Sequence, residues 1–311
     1  MPMTPRKPKI LLLVDKHDWA YDHSAKSIQS LLSDEFDFQI AYIADGPPDV
    51  AAIDCDLIHV FWWGETWHHA LKLPPARVLK EVSSFRWREE SQFGLLDPKS
   101  FINRYLTDAA TIVVTSQKMK DTLNSYRPVL YTPNGIDPEI FYPTGTRSGA
   151  FKVGWAGNIK DACKGIQDII MPACHGDFQL VIAPGNITSR DVMRDFYNQI
   201  DVFCVASTAE GEPLTILEAL ACGCFQIAVD VGIVPEVIQP RINGFIVNRS
   251  VAAFRAALTW CHSNVATLRQ RAPSIAAELH KTRSWQQTAP LWRDAYRQAL
   301  TGINQQQGAV S

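Results

Sequence analysis

The sequence predicts an α/β fold with two parallel-sheet domains. Short apolar runs alternate with helical patterns along the 311-residue chain, which is typical of parallel strands covered by helices. Turn-forming and glycine-rich sequence interrupts this alternation at residues 132–149. A chain of this length has room for two domains that each bury a core. We therefore expect two Rossmann-like domains, each an open sheet with helices on its faces.

The first domain is predicted at residues 1–146. Its strands are expected at 10–14, 38–43, 57–62, 78–82, 111–114 and 129–131, with helices at 24–32 and 116–124. Residues 132–138 combine proline, asparagine and glycine, and residues 143–149 have the composition of a linker. The domain boundary is therefore placed after residue 146.

The second domain is predicted at residues 147–284 and repeats the pattern. Strands are expected at 151–156, 179–183, 202–205, 225–229 and 245–247, with a helix near 165–173. The chain is helical from about residue 251, and residues 285–311 form a final helical segment. Ligands of open parallel sheets collect at the carboxyl ends of the strands, so two such sheets would face a ligand-binding cleft.

Composition excludes several classes of protein. With 30 Lys+Arg against 32 Asp+Glu, the chain lacks the basic excess of a duplex-binding protein. The seven cysteines are an odd number at scattered positions with no secretory signal, so we expect a reducing, cytoplasmic location and no disulfide framework. The apolar run 10–14 is too short to span a bilayer. A short basic segment near the start leaves peripheral contact at the inner membrane surface open, and the oligomeric state is not predicted.

Two glutamates around a predicted helix start are the most informative feature. Glu210 precedes this start, Pro213 suits the first helical position, and Glu218 lies about a turn and a half inside the helix. The free N–H groups at a helix start favour an anion such as phosphate, whereas carboxylates bind hydroxyls. A diphosphate between two polyols, as in a nucleotide-sugar, would satisfy both kinds of group.

A glycine turn with a lysine lies earlier in the second domain. Gly157 follows the first strand of this domain, where a glycine lets the backbone approach a phosphate. Lys164 follows in the same loop, directly before Gly165. A fixed cation at this place would stabilise charge developing on phosphate oxygens.

Several segments together resemble glycosyltransferase family 4, within the group 1 glycosyltransferases. The resemblance rests on residues 207–224, 230–238 and 243–247, and on landmarks at 108–116, 133–137, 196–201 and 284–289. It spans residues 108–300, whereas residues 1–107 match only in topology. The resemblance implies the GT-B fold, with the C-terminal helix crossing back to the first domain.

The resemblance also implies an activity. Members of this family are retaining enzymes that transfer a hexose from a nucleotide-diphosphate sugar, with no cofactor and no metal. By resemblance, Lys164 stabilises the leaving diphosphate, Glu210 holds a hydroxyl of the transferred sugar and Glu218 binds the ribose. The remaining predicted donor-binding residues are Gly157, Asn158, Lys160, Gly211, Pro213, Leu214 and Thr215. The acceptor is unidentified, and a glycan, a lipid-linked glycan or another hydroxyl compound is expected.

One position departs from the family pattern. The family usually has an arginine directly after the turn glycine, and this chain has Asn158, which supplies no charge. Lys160 or Arg190 is a candidate for the missing cation. Two alternatives therefore stay open, a non-catalytic nucleotide-sugar-binding module and a nucleotide-sugar epimerase.

Aromatic and polar residues follow the strand ends of the first domain. The predicted acceptor-side residues are His17, Asp18 and Trp19 after the first strand, Trp62 and Trp63 after the third, and Arg86 after the fourth. With Trp67 and Trp87, these tryptophans would form a rim, of which two or three rings contact ligand. Such a rim stacks on sugar rings or nucleobases, so a modified nucleic acid is an alternative acceptor.

Two patterns that suggest metal binding are given structural roles. Asp54 and Asp56 match an Asp-x-Asp motif but lie at the entry of a strand, so we expect them to stabilise that turn. Cys222 and Cys224 lack a second pair at zinc spacing, so they are expected to pack a helix end.

Overall fold

The chain folds into two compact units. The computed structural model describes residues 6–46, 48–64, 71–89, 94–145, 147–183 and 189–308. The first unit comprises Met1–Gly135 and Thr288–Ser311, and the second comprises Ile136–Gln287. The sequence places the domain limits at 1–146, 147–284 and 285–311, and these limits stay a prediction.

The first unit contains a six-stranded parallel sheet. Its strand order is β2-β1-β3-β4-β5-β6. Every neighbouring pair is parallel, with Lys9 opposite Asp37 and Ile10 opposite Leu57 at the start of β1. The strands are β1 (Lys9–Val14), β2 (Asp37–Tyr42), β3 (Leu57–Val60), β4 (Val78–Val82), β5 (Thr111–Val114) and β6 (Leu130–Tyr131).

Three α-helices of this unit precede the second sheet among the residues that the structure describes. They are α1 (Ala20–Leu32), α2 (Pro98–Tyr105) and α3 (Gln117–Leu123). Asp97 caps α2 by accepting from the backbone N–H groups of Lys99 and Ser100, and Ser116 caps α3. Single 3₁₀ turns lie at Ile43–Asp45, Val50–Ala52, Pro75–Arg77 and Arg86–Arg88.

The second unit contains a five-stranded parallel sheet. Its order is β11-β10-β9-β7-β8, so the chain leaves β7 toward one edge and returns on its other side at β9. Such a reversal of strand order opens a crevice at the carboxyl ends of the two strands. The strands are β7 (Lys152–Trp155), β8 (Gln179–Ile182), β9 (Val202–Val205), β10 (Phe225–Ala228) and β11 (Gly244–Ile246).

The helices of the second unit pack against its apolar core. A 3₁₀ turn at Ala162–Lys164 and a π-helical turn at Ile166–Ile170 lead into the first α-helix. The α-helices are α4 (Met171–Cys174), α5 (Arg190–Asn198), α6 (Leu214–Ala221), α7 (Val234–Val237), α8 (Val251–Ser263) and α9 (Val265–Arg283). Helix α6 buries Ile216, Leu217 and Leu220, which places its start beside the end of β9.

The last helix, α10 (Trp285–Gly308), runs from the end of the second unit into the first. Trp292 donates its Nε1–H to the carbonyl oxygen of Pro133 at 3.1 Å. The hydroxyl of Tyr296 is hydrogen bonded to His59 of β3 at 2.9 Å. Burial lowers the pKa of His59 to about 3, so this ring is neutral. The α/β class, the two parallel sheets and the C-terminal helix on the first domain are confirmed.

Both motifs that resemble metal sites have other partners. Asp56 accepts from the backbone N–H of Lys9 at 2.8 Å and from the Arg6 guanidinium, and Asp54 accepts from Lys9 Nζ at 2.6 Å. The Cys222 and Cys224 thiols are buried, and the Cys224 thiol donates to the carbonyl oxygen of Tyr197. No helix among the described residues is long and apolar enough to cross a bilayer.

Candidate functional site

The loop after β7 is shaped by two glycines and an asparagine. Gly157 has a φ of +153°. Asn158 Oδ1 accepts from the backbone N–H of Lys160 at 3.0 Å, which folds the loop into an Asx turn. The segment from Gly157 to Lys160 is exposed. It therefore presents backbone and a lysine to solvent at the carboxyl end of β7.

Lys164 and Glu210 meet at the adjacent ends of β7 and β9. Lys164 Nζ lies 2.5 Å from Glu210 Oε1, and the exposed fractions of the two side chains are 26% and 11%. The backbone N–H of Thr208 donates to the carbonyl oxygen of Cys163 at 2.9 Å, which joins the two loops just before this ion pair. The Cys163 thiol donates to the carbonyl oxygen of Ala209. A cation and a carboxylate are thus fixed together where the strand order reverses.

Gly165 fixes the backbone that carries Lys164. Its φ is +68°, and a Cβ at this position would lie 2.5 Å from the carbonyl oxygen of Ala206. A side chain is excluded both by the backbone conformation and by the neighbouring chain. Lys164 therefore owes its position beside Glu210 to the glycine that follows it.

We expect Gly165→Ala to lower the free energy of unfolding by about 2–4 kcal/mol, because it adds a clash with Ala206 to the strain of positive φ. Urea denaturation measures this loss. Gly176→Ala is the matched control, because Gly176 has a φ of +84° and open space around its Cβ position. The control should lose about 1 kcal/mol. Equal losses in the two variants would show that the Ala206 contact is unimportant.

The start of α6 is an open helix terminus. Pro213 lies one residue before the helix, with φ −68° and ψ 99°, so its predicted place at the first helical position is wrong by one residue. Within the described residues no side chain caps this helix, which leaves the backbone N–H groups of Leu214 and Thr215 for a ligand. Behind the loop, a Cβ on Gly232 would lie 2.1 Å from the carbonyl oxygen of Gly211, so the backbones touch there.

Glu218 lies inside α6, and its carboxyl accepts a hydrogen bond from a buried tyrosine. Tyr197, which is fully buried in α5, donates its hydroxyl to Glu218 Oε2 at 2.7 Å. Burial raises the pKa of Glu218 to about 7, against the opposing effects of the Tyr197 hydrogen bond and the Arg190 charge. Glu218 is therefore partly protonated at neutral pH.

The two candidate replacements for the missing arginine lie in different places. Arg190, at the start of α5, stacks over the Phe141 ring at 5.3 Å and is influenced by the charges of Asp137 and Glu218. It therefore belongs to the Glu218 end of the site. Lys160 is exposed in the loop after β7, beside Asn158. Of the two cations, Lys160 is the one carried by the predicted phosphate loop.

The predicted acceptor-side residues differ in exposure. His17 stacks on Tyr42 at 3.5 Å between ring centroids, and its Nε2 lies 2.9 Å from Asp45. Asp18 has a φ of +54°, and its backbone N–H donates to Asp22. Trp19 is 42% exposed and lies under the Lys16 ammonium at 3.7 Å. This loop after β1 remains an accessible surface for a ligand.

The tryptophan rim is wrong in part. Trp63 and Trp87 are fully buried, because α2 packs Phe101 against both indole rings. Trp62 is partly exposed and stacks on Trp63, while Arg86 donates to Glu89 at 3.0 Å. Trp67 lies outside the described residues.

Sequence reasoning missed Tyr197 and Glu212 as members of the site. Glu212 lies between Glu210 and Pro213 in the sequence, and its side chain is buried, with 9% of the residue surface exposed. Tyr197 lies in a segment used only as a family landmark. The alternation of Glu210 and Glu212 is a visible signal for the second of these residues, whereas no spacing rule connects Tyr197 with Glu218.

Known proteins are similar to this chain in sequence and in structure. Alpha-maltose-1-phosphate synthase of Mycobacterium tuberculosis is 25% identical over 242 residues, which cover 59% of this chain and 62% of the relative. The chain therefore spans less than two thirds of that relative. Sucrose-phosphate synthase of Thermosynechococcus elongatus superposes with a TM-score of 0.73 at 17% identity, over 95% of this chain and 100% of the other. Anabaena HepE, solved with UDP and glucose, superposes with a TM-score of 0.67 at 13% identity, over 94% of this chain and 100% of the other.

The family model described as Glycosyl transferases group 1 matches residues 152–264, which run from β7 through α8. This stretch contains Lys164, Glu210, Glu218 and the open start of α6. The sequence match covers the donor-side residues, and the structural matches extend over both units. The chain has the GT-B fold, and its residues 152–264 are similar to the group 1 glycosyl transferases.

Proposed function

We propose that the protein is a retaining glycosyltransferase that moves a hexose from a nucleoside-diphosphate sugar to a hydroxyl acceptor. The observation that carries the proposal is the Lys164–Glu210 pair beside the uncapped start of α6. These groups offer a cation, a hydroxyl acceptor and free backbone N–H groups within one loop system. The presence of UDP and glucose in the Anabaena HepE structure supports the same class of donor.

In the proposed reaction, the bond between the sugar C1 and the diphosphate oxygen breaks, and the acceptor oxygen bonds to C1 on the same face. The leaving diphosphate takes the acceptor proton. Lys164 and the N–H groups of Leu214 and Thr215 stabilise the charge that develops on the phosphate oxygens. Glu210 accepts a hydrogen bond from a hydroxyl of the transferred sugar and orients its ring.

We propose that Lys160 supports the diphosphate in place of the family's arginine, and that the reaction requires no metal. A lysine is a strongly hydrated point charge, whereas an arginine can bind a phosphate in a bidentate manner. The donor diphosphate is therefore expected to be held with less geometric restraint. Turnover that persists in EDTA would support the metal-independent reaction, and restoration only by a divalent ion would contradict it.

Incubation with uridine, adenosine and guanosine diphosphate sugars tests the function. Release of nucleoside diphosphate that depends on a hydroxyl acceptor, with retention of the anomeric configuration by NMR, is the expected result. Glu210→Gln should abolish release while leaving the fold intact. Tight binding without turnover over a broad acceptor panel would favour a binding module, for which Asn158 is the motivating observation. Conversion of the donor with no acceptor present would favour an epimerase.

A further inference from the structure

A buried tyrosine supports the second glutamate of the site. Tyr197 has no exposed surface, and its ring packs against Phe203 and Phe141 at 5.5 and 6.3 Å between centroids. Its hydroxyl donates to Glu218 Oε2 at 2.7 Å. A buried phenol hydroxyl needs a hydrogen-bond partner, so the Tyr197–Glu218 bond fixes the carboxyl to the core of the unit.

This contact also favours the form of Glu218 that binds hydroxyls. An ionised carboxylate has about four acceptor positions, of which the tyrosine occupies one. The charged and titratable groups that act on Glu218 are Arg190 and Tyr197 from α5. Cys222, directly after the end of α6, also lies near it. Both groups from α5 oppose the pKa rise that burial causes. They therefore favour the ionised, acceptor-only carboxylate against the effect of burial.

We infer that Tyr197 is a positioning residue for nucleotide recognition, which orients the Glu218 carboxylate so that it accepts hydrogen bonds from both ribose hydroxyls of a nucleoside diphosphate. The inference rests on the proposed function, because it assigns the ribose of the donor to Glu218. It depends on one contact, the hydrogen bond from the buried Tyr197 hydroxyl to the Glu218 carboxylate. Removing that hydroxyl leaves the carboxyl in place without its orientation.

The test compares nucleotides with and without ribose hydroxyls. Titration calorimetry measures the dissociation constants of UDP, ADP and GDP, and of their 2′,3′-dideoxy counterparts, with the wild type and with Tyr197→Phe. The wild type should prefer the ribonucleotide by about 100-fold, since two hydroxyl contacts are lost in the dideoxy form. In Tyr197→Phe this preference should fall about tenfold, through weaker ribonucleotide binding, with dideoxynucleotide binding unchanged. The KM for the sugar donor should rise by the same factor with kcat retained.

Two variants separate this role from a structural one. Tyr296→Phe is the matched control, because Tyr296 is also fully buried and bonds His59 in the first unit. It should leave the ribonucleotide preference unchanged. Adding Tyr197→Phe to Glu218→Gln should cause little further loss of preference, because the two residues act through one bond. Equal weakening of both nucleotides in Tyr197→Phe would overturn the positioning role.

The outcomes distinguish the inference from the function beneath it. If the wild type binds neither kind of nucleotide, the proposed transferase function fails together with the inference. If the wild type binds both kinds equally and transfers sugar, the function stands and the ribose role of Glu218 and Tyr197 is wrong. A ribonucleotide preference that falls in Tyr197→Phe and is unchanged in Tyr296→Phe supports the inference.

Discussion

Replacement of Lys164 by alanine should lower kcat about 10²–10³-fold, equivalent to a loss of about 3–4 kcal/mol of transition-state stabilisation. The ammonium lies at the carboxyl end of the sheet and is fixed by Glu210 at 2.5 Å. A cation held in advance costs no reorganisation when charge develops on the leaving diphosphate. Steady-state kinetics with a saturating sugar donor measures the change. Lys281→Ala, an exposed lysine in the last turn of α9, is the control and should keep full activity.

A charge swap separates catalysis from structure at this pair. The double variant Lys164→Glu with Glu210→Lys keeps an ion pair between the same two backbone positions but moves the cation to the other loop. If Lys164 acts on the leaving group, the swapped protein should be folded and as slow as Lys164→Ala. If the swap restores activity, the pair only joins the two loops, and the catalytic role of Lys164 is wrong. Thermal denaturation verifies that the swapped protein is folded.

The strands could be predicted because each is a short buried run with turns on both sides. The predicted residues 78–82, 111–114 and 202–205 coincide with β4, β5 and β9. The predicted helix at 165–173 was less accurate. Gly165 adopts a left-handed conformation, a π-helical turn follows it, and α4 starts only at Met171. The backbone of Gly165 lies so close to Ala206 that a Cβ would clash with its carbonyl oxygen, and such a tertiary contact cannot be read from local sequence.

The candidate site could be proposed from the sequence where its chemistry is local. The segment from Glu210 to Glu218 contains its own helix start, so both carboxylates could be assigned before their surroundings were known. The acceptor side was harder, because exposure of Trp63 and Trp87 depends on Phe101 from a distant helix. Tyr197 was missed for the same reason, since its hydrogen bond to Glu218 joins residues of two helices that lie 21 positions apart in the sequence.

Replacement of Asp201 by alanine should lower the free energy of unfolding of the second unit by about 3–5 kcal/mol. Asp201 precedes β9, and only 3% of its side chain is exposed. It accepts from Arg269 of α9 at 2.8 and 3.1 Å and from the backbone N–H of Lys152 at 3.0 Å. Loss of the carboxylate would leave the Arg269 guanidinium without its charge partner and the β7 N–H without an acceptor. Urea denaturation, followed by tryptophan fluorescence, measures the change.

An exposed carboxylate that pairs with an arginine of the same unit is the control. Arg194 donates to Asp195 at 3.0 and 3.1 Å, but the Asp195 side chain is 58% exposed. Asp195→Ala should therefore cost less than about 1 kcal/mol, because water solvates this carboxylate and Arg194 keeps its ion pair with Asp191 at 2.6 Å. A loss at Asp201 no larger than at Asp195 would contradict the role of burial.

Asp201→Asn tests which part of the interaction matters. The amide keeps the size of the side chain and an oxygen that accepts from the Lys152 N–H, while it removes the charge facing Arg269. If the ion pair carries the stability, asparagine should lose most of what alanine loses. If the hydrogen bond to Lys152 carries it, asparagine should lose about 1 kcal/mol. We expect the larger loss. Arg269 also donates to the carbonyl oxygens of Gly149 and Ala150, so its guanidinium connects α9, the start of β9 and the segment that leads into β7.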